Sequence, residues 1–477
     1  MYRVELRTAA FLLLGAVGGA QHLWAQQNKQ VADPAEPRMQ RDSAPTRQDS
    51  VASLAARVEE LDQQVRILNR IREISADSAA AAAKDKQSVT ANPKDGFTFK
   101  SADGKYSLRL RGYIQSDARF YPSSEGVPSV DNLLIRRARP IVEATVGRYF
   151  DFRLMSDFGG TAVQIYDAYW DGKFAPQFTV RAGKFKPPIG LERIQSAADI
   201  MFAERGFPTN LVPSRDIGLQ IAGDFSEGLF AYQVGLFNGV ADLANGGDDL
   251  SNAKDFVGRV FFQPFKSGSF RPLGFGIAGS TGFERANTTT TGLPTYRTPG
   301  QQTLFRYSSS TTTPASTVFA DGKRTRIAPQ AYYYTGPLGL LGEYVISKNE
   351  VDKAGAVAEL EHKAWEAEGS FFLTGEKNNF KNPMPKKPFD LKEGGFGAIE
   401  LVARYGELDL DPASFPTYAS LTSSVQKAKA WGAGVNWHFT RQVKVMVDYE
   451  HTTFRGGAAT GDREPENALI TRFQTSF

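Results

Sequence analysis

The residues best equipped for chemistry in this chain are arginines at alternate positions. Residues 106–120 read YSLRLRGYIQSDARF, which sets Arg109, Arg111 and Arg119 on one side with Tyr113, Gln115 and Asp117. Leu108, Leu110, Gly112, Ile114, Ala118 and Phe120 fall on the other. Residues 134–147 repeat the arrangement, with Arg137, Arg139, Glu143 and Thr145 opposed to Ala138, Pro140, Val142, Ala144 and Val146. Adjacent antiparallel strands would place these guanidiniums, together with Arg181, on one wall with few local carboxylates. A guanidinium keeps its charge and offers a planar fork of donors, so such a wall attracts and holds phosphate-like oxyanions. The same spacing also suits plain charge separation, with arginines facing acids across a water-filled lumen, and the sequence leaves both readings open.

Other chemistry finds little support. The four histidines, His22, His362, His438 and His451, lie far apart, and no GxSxG, HExxH or Walker motif accompanies them. His438 alone sits on the polar face of a clear strand near its end, where a lumen or interfacial hydrogen bond is the expected role. Glu366 and Glu368 share one strand face and read as lumen charges rather than an acid–base pair. With no cysteine, thiolate metal sites and disulfides are excluded. No catalytic residue, metal-ligand set or cofactor is expected, and no basic–aromatic cluster suggests nucleic acid.

The elements that must carry the arginines are strands. Period-2 alternation recurs at Ile217, Leu219 and Ile221 against Gln220, at Ile399, Leu401, Ala403 and Tyr405 against Glu400 and Arg404, and at Val443, Val445 and Val447 against Lys444 and Asp448. A soluble sandwich alternates too, but these segments run about 9–14 residues, near the length of a tilted bilayer-crossing strand. One face gathers Arg, Asp and Glu, which is costly in a packed core and natural in a wet lumen. Tight turns at Gly147-Arg148, Ser226-Glu227-Gly228, Gly336-Pro337 and Thr440-Arg441 alternate with long polar connections at 121–132, 239–253, 284–322 and 455–464. Phe120, Tyr149, Trp170, Trp437, Phe439 and Phe477 suit interfacial girdles.

The fold class is therefore all-β: a transmembrane antiparallel barrel of about 16 strands over 96–477, with strands beginning near 106, 133, 149, 163, 178, 215, 228, 254, 271, 324, 338, 364, 394, 426, 442 and 466. The Pro- and Lys-rich stretch 376–393 falls where parity asks for a short turn. The final strand ends NALITRFQTSF, and its terminal Phe477 looks like the signal read by the outer-membrane barrel assembly machinery.

Ahead of the barrel, residues 1–25 read as a secretory signal, with Arg3 and Arg7 before the apolar run TAAFLLLGAVGGA and a cut at Ala20 or Ala25. Residues 26–50 read as a disordered linker and 76–95 as a spacer. Between them, in 51–75, Leu54, Val58, Leu61, Val65 and Leu68 step by four and three, the seam of a short coiled coil or the apolar stripe of a single amphipathic helix. Export and a barrel place the protein in the outer membrane of a Gram-negative-type bacterium, with the coil in the periplasm. A second role follows from that segment: a structural tether to the cell wall or a periplasmic partner.

The chain resembles a known family, the phosphate-selective porins O and P. The likeness runs in order through LIRRARP (134–140), GKFKPPIGLE (183–192), FAER (202–205), LTGE (373–376) and GAIELVARY (397–405), and covers most of 97–477. It implies a sixteen-stranded homotrimer in outer-membrane lipid, passing small anions such as phosphate through an arginine-lined lumen narrowed by an inward-folded third loop. That loop would carry Lys186, Arg193, Glu204, Arg205 and Arg215. Its apolar Ile200, Met201 and Phe202 fit an interior position, and Glu204 suits pairing with a lumen arginine. Family members known for phosphate binding carry lysines in the inward loops, whereas 187–213 and 284–322 contain none, the latter offering Arg285, Arg297 and Arg306. A weak anion preference is the expectation that fits.

Overall fold

The computed structural model describes residues 47–84, 88–92, 96–122, 130–226, 228–247 and 252–477. The expected signal and most of the expected linker lie outside the described residues. Contacts divide the chain into two units, Met1–Ala79 and Ala80–Phe477. Helix α1 (Arg47–Lys84) crosses that division and is longer at both ends than the 51–75 segment; at its C-terminal end the run of alanines after Ser78 continues the helix where a spacer was expected. Its seam residues Leu54, Val58, Leu61, Val65 and Leu68 are all exposed.

The second unit carries a hairpin, β1 (Ser88–Asn92), which falls within the expected spacer, and β2 (Gly96–Lys100), which falls at the start of the expected barrel. The barrel strands follow: β3 (Tyr106–Phe120), β4 (Asn132–Val146), β5 (Phe150–Asp157), β6 (Gln164–Ala175), β7 (Phe178–Phe185), β8 (Asp216–Phe225), β9 (Phe230–Phe237), β10 (Asp255–Phe262) and β11 (Leu273–Arg285). After a small loop hairpin, β12 (Thr295–Arg297) and β13 (Thr303–Arg306), come β14 (Phe319–Thr335), β15 (Leu338–Lys353), β16 (Ala356–Phe372), β17 (Ala398–Asp409), β18 (Val425–His438) and β19 (Val443–Ala458). The two-residue β20 (Gly461–Asp462) and β21 (Glu466–Ser476) complete the chain. Each barrel strand pairs antiparallel with the next, and β21 pairs with β3 (Ile470 opposite Arg119), closing sixteen strands. No helix among the described residues is long and apolar enough to cross a membrane; in a closed barrel the strands do so with every ladder bond satisfied.

The barrel is inside-out relative to a soluble protein. On β3 the apolar Leu108, Ile114 and Phe120 are exposed, whereas Gln115, Asp117 and Arg119 are buried. Strand 16 starts at Ala356 rather than near 364, and it meets β15 through the tight turn Ala354-Gly355. The added residues place Glu359, Glu361 and Lys363 on the outward face, so the apolar half of the period-2 signal is missing there. At the rim carrying the tight turns, the Phe477 N–H donates to the Gly112 carbonyl at 3.0 Å and the Gly112 N–H to the Phe477 carbonyl at 3.1 Å. A Cβ on Gly112 would lie 2.9 Å from the Phe477 ring, so this seam requires glycine.

Candidate functional site: an arginine-lined lumen and its inward loop

The connection between β7 and β8, residues 186–215, folds into the barrel. Its apolar Ile189, Ile200, Met201, Phe202, Phe207 and Leu211 are all buried. An exposed loop could not hide this surface from water, so burial against the inner wall drives the fold inward. One end is held by Glu343 of β15, whose carboxylate accepts the Leu191 N–H at 2.6 Å and the Glu192 N–H at 3.3 Å. These open the single turn α2 (Leu191–Ile194).

The tip is stitched to six strands, β3, β4, β17, β18, β19 and β21. Ala203 N–H donates to Asp448 at 2.6 Å, Asn436 donates to the Met201 carbonyl at 2.8 Å, and Arg404 donates to the Glu204 carbonyl at 2.8 Å. The Glu204 carboxylate then takes ion pairs from Arg119 at 2.9 Å, Arg136 at 2.5 Å, Arg137 at 3.3 Å and Arg472 at 2.9 Å. Burial alone would raise its pKa; the guanidiniums of Arg136, Arg137, Arg472 and Arg119 outweigh that and hold it well below the usual carboxylate range.

Arg136 could not be foreseen from alternation. Gln115 pairs with Arg137 while Ser116 pairs with Ile135, so Arg136 is the extra residue of a β-bulge. The bulge turns two consecutive arginines inward.

Beside the loop, against β4–β8, lies a cavity of about 460 Å³. Arg136, Arg137, Arg139, Arg153, Arg181, Lys186, Arg193, Arg205 and Arg215 line it with one carboxylate, Asp167. Tyrosine faces hold several of these forks in place: the Arg139 guanidinium lies 3.9 Å from the Tyr166 ring centre, Arg215 5.1 Å from the same ring, and Arg181 4.0 Å from that of Tyr169. Stacking on a ring fixes the plane of the fork and leaves its N–H edge for oxygen. Arg205 donates to the carbonyls of Glu192 and Gln195 (3.0 and 2.7 Å), and Arg193 to that of Thr209 at 2.6 Å, neutral partners that leave the charge uncancelled. Lys186 likewise donates to the Ile194 and Gln195 carbonyls, and burial, with Arg215 and Arg205 nearby, depresses its pKa well below the ordinary lysine value. Arg153 and Tyr169 also line a second cavity of about 260 Å³ toward the tight-turn rim, where Arg109 and Lys173 meet Glu143, Asp151 and Asp171.

The expectation of few local carboxylates on the arginine wall is corrected. Arg109 and Arg111 pair with Glu143 at 3.4 and 3.6 Å, Arg119 with Asp117 at 2.9 Å, Arg139 with Asp157 at 2.7 Å, Arg181 with Asp171 at 2.7 Å, and Arg215 with Asp167 at 2.7 Å. A buried guanidinium without a counter-charge is too costly, and neighbouring strands supply the acids. Across the lumen stand Glu343, Glu366, Glu368, Glu400 and Glu450 on β15, β16, β17 and β19. His438 bonds Glu400 at 3.0 Å.

The long connection at the tight-turn rim, residues 373–397, also enters the lumen. Asn382 donates to the Ala198 carbonyl at 2.7 Å, and the Phe380 carbonyl accepts from Gln195 at 3.1 Å, so it meets the inward loop from the opposite side. The parity of the strand count was therefore sound, and the segment is long because it forms part of the constriction.

A closed sixteen-stranded barrel narrowed by a charged inward loop is the architecture of an outer-membrane porin. The family model "Phosphate-selective porin O and P" matches residues 108–477, and the chain belongs to that family. Among curated proteins it is similar to Porin O of Pseudomonas aeruginosa, 23% identical over 430 residues that cover 84% of this chain and 95% of that one. Among solved structures it resembles the outer membrane channel DcaP of Acinetobacter baumannii, with a TM-score of 0.51 and 10% identity over 80% of this chain and 99% of that one. It also resembles an anion-selective porin from Comamonas acidovorans, with a TM-score of 0.48 and 13% identity over 78% and 100%. At 10% identity the likeness to DcaP is one of fold.

Proposed function

We propose that this porin passes small hydrophilic anions, phosphate among them, along the β4–β8 wall, and that Arg139, Arg181, Lys186, Arg193, Arg205 and Arg215 form the pathway. The observation that carries the reading is that Lys186, Arg193 and Arg205 reach the cavity with only backbone carbonyls as partners, beside arginines that are paired with Glu143, Asp157, Asp167, Asp171 and Glu204. A wall with an excess of one sign of charge, bounded by low-dielectric surroundings, raises the local concentration of counter-ions along it. Arg109 and Arg111, neutralised by Glu143, would serve entry rather than selection. Arg119 and Arg137 are held by Glu204 and serve the loop.

The reversal potential of the purified protein in a planar bilayer under a KCl gradient, with phosphate added to one side, tests the reading. A chloride-selective potential with phosphate block supports it, and a cation-selective potential overturns it.

The finer features belong to the same proposal. The exposed seam of α1 would associate in a homotrimer, with the helix in the periplasm, and the final strand with Phe477 would engage the barrel assembly machinery. Tethering is the second reading for that helix.

A further inference from the structure

We propose that Glu192, Glu343 and Glu366 form a site for a divalent cation of the calcium class, which clamps the inward loop onto the β15–β16 wall. One carboxylate oxygen from each lies within 4.8 Å of the other two, and all three residues are buried. Calcium binds oxygen at about 2.3–2.6 Å, so two ligands on opposite sides of one ion stand about 4.6–5.2 Å apart. The three acids come from three elements: Glu192 from α2, Glu343 from β15 and Glu366 from β16. Glu343 and Glu366 are direct cross-strand partners, a like-charge pairing that destabilises a sheet unless something lies between the charges.

A separate observation points to a ligand. Both carboxylate oxygens of Glu366 and Oε1 of Glu192 are buried without a hydrogen-bond partner, as are both oxygens of Glu368, two residues along the same strand face. Glu366 is 3% exposed and Glu368 2%. Orphaned buried carboxylates are costly, and no ion pair to any of the four is present among the described residues. The nearest cations are engaged elsewhere: Arg404 pairs with Glu450 at 2.6 Å, while Arg193 and Arg205 bond backbone carbonyls. The loop even makes room, since a Cβ on Gly206 would fall 1.5 Å from Glu366 Oε2.

Oxygen-only donors at loose spacing suit calcium better than magnesium, which demands a tight octahedron, or zinc, which favours nitrogen and sulfur. The ion would turn a cluster of three negative charges into one of net minus one inside the lumen.

Calorimetric titration of CaCl₂ into the full chain, folded in lipid-free detergent and stripped with EDTA, tests the site. One calcium per chain is expected, with E366Q weakening binding by about a hundredfold, since losing a charged ligand costs at least as much as the roughly 10- to 100-fold seen for outer-shell changes. Calcium should also raise the unfolding temperature of the wild type but not of E366Q. Should E366Q fail to fold, E192Q carries the same expectation. Absence of binding, unchanged affinity in the variants, or an equal response to MgCl₂ would overturn the proposal. None of these readouts depends on which ions the pore conducts.

Discussion

The Nε of Arg136 donates to Glu204 Oε1 at 2.5 Å, joining residues 68 apart in the chain. The contact exists because a bulge on β4 turns Arg136 to the same side as Arg137, and because the loop's apolar residues drive its tip inward. Glu204 is thereby the keystone of the constriction, with Arg119, Arg137 and Arg472 on the same carboxylate.

Replacing Glu204 with Gln should free the loop tip. Removing one partner of a buried ion-pair network costs about 3–5 kcal/mol. The expected outcome is a lower unfolding temperature and a larger, noisier single-channel conductance, measured by differential scanning calorimetry and bilayer recording. An unchanged conductance would show that the tip is held by its backbone bonds alone.

The same anchor sets an acid limit. The Glu204 pKa is depressed in the folded state, so its stabilisation is complete above the unfolded value of about 4.3 and is lost only as pH falls through the lower folded value. The wild-type loop should resist added protease unchanged from neutral pH down to about pH 4 and loosen below it. Loosening near neutrality would contradict the assigned network.

Neutralising the cavity should alter selectivity more than size. Arg181→Gln and Arg215→Gln each remove a stacked cation while leaving the strands intact, and the chloride-to-potassium permeability ratio should fall several-fold at low salt and less at about 1 M, where screening is nearly complete. Reversal potentials at two salt concentrations decide the matter.

Lys186 predicts a pH dependence. Its depressed pKa means that the ammonium is lost well before the ordinary lysine value of about 10.4, so anion selectivity should decline as pH rises toward about 10. A lowered pKa favours the neutral form, hence the decline with increasing rather than decreasing pH. Lys186→Met should be less selective throughout and lose this dependence.

Deleting residues 26–84 removes α1 but no barrel strand, and conductance per barrel should survive. Cross-linking should show fewer trimers or less attachment to the envelope, and the two results separate association from tethering.

Much of the barrel was legible in the chain because a membrane strand faces lipid on one side and water on the other. That two-fold contrast, repeated between turns, marked sixteen strands, with all but a few starting within two residues of their observed positions, and it placed Arg109, Arg111, Arg119, Arg137 and Arg139 inward. The buried character of 200–202 likewise announced a loop with nowhere to go but the lumen.

What alternation could not carry was decided in three dimensions. Arg136 faces inward through a bulge, which adds one residue and breaks the period. Asp157, Asp171 and Glu143 neutralise much of the arginine wall, because cross-strand register brings together charges remote in sequence. Residues 373–397 complete the constriction because the Asn382 amide donates to the inward loop and the loop's Gln195 amide donates back to the Phe380 carbonyl. Patterning sorts residues between lipid and water, but which lumen charges remain unpaired depends on register, bulges and loop closure, which only the folded barrel defines.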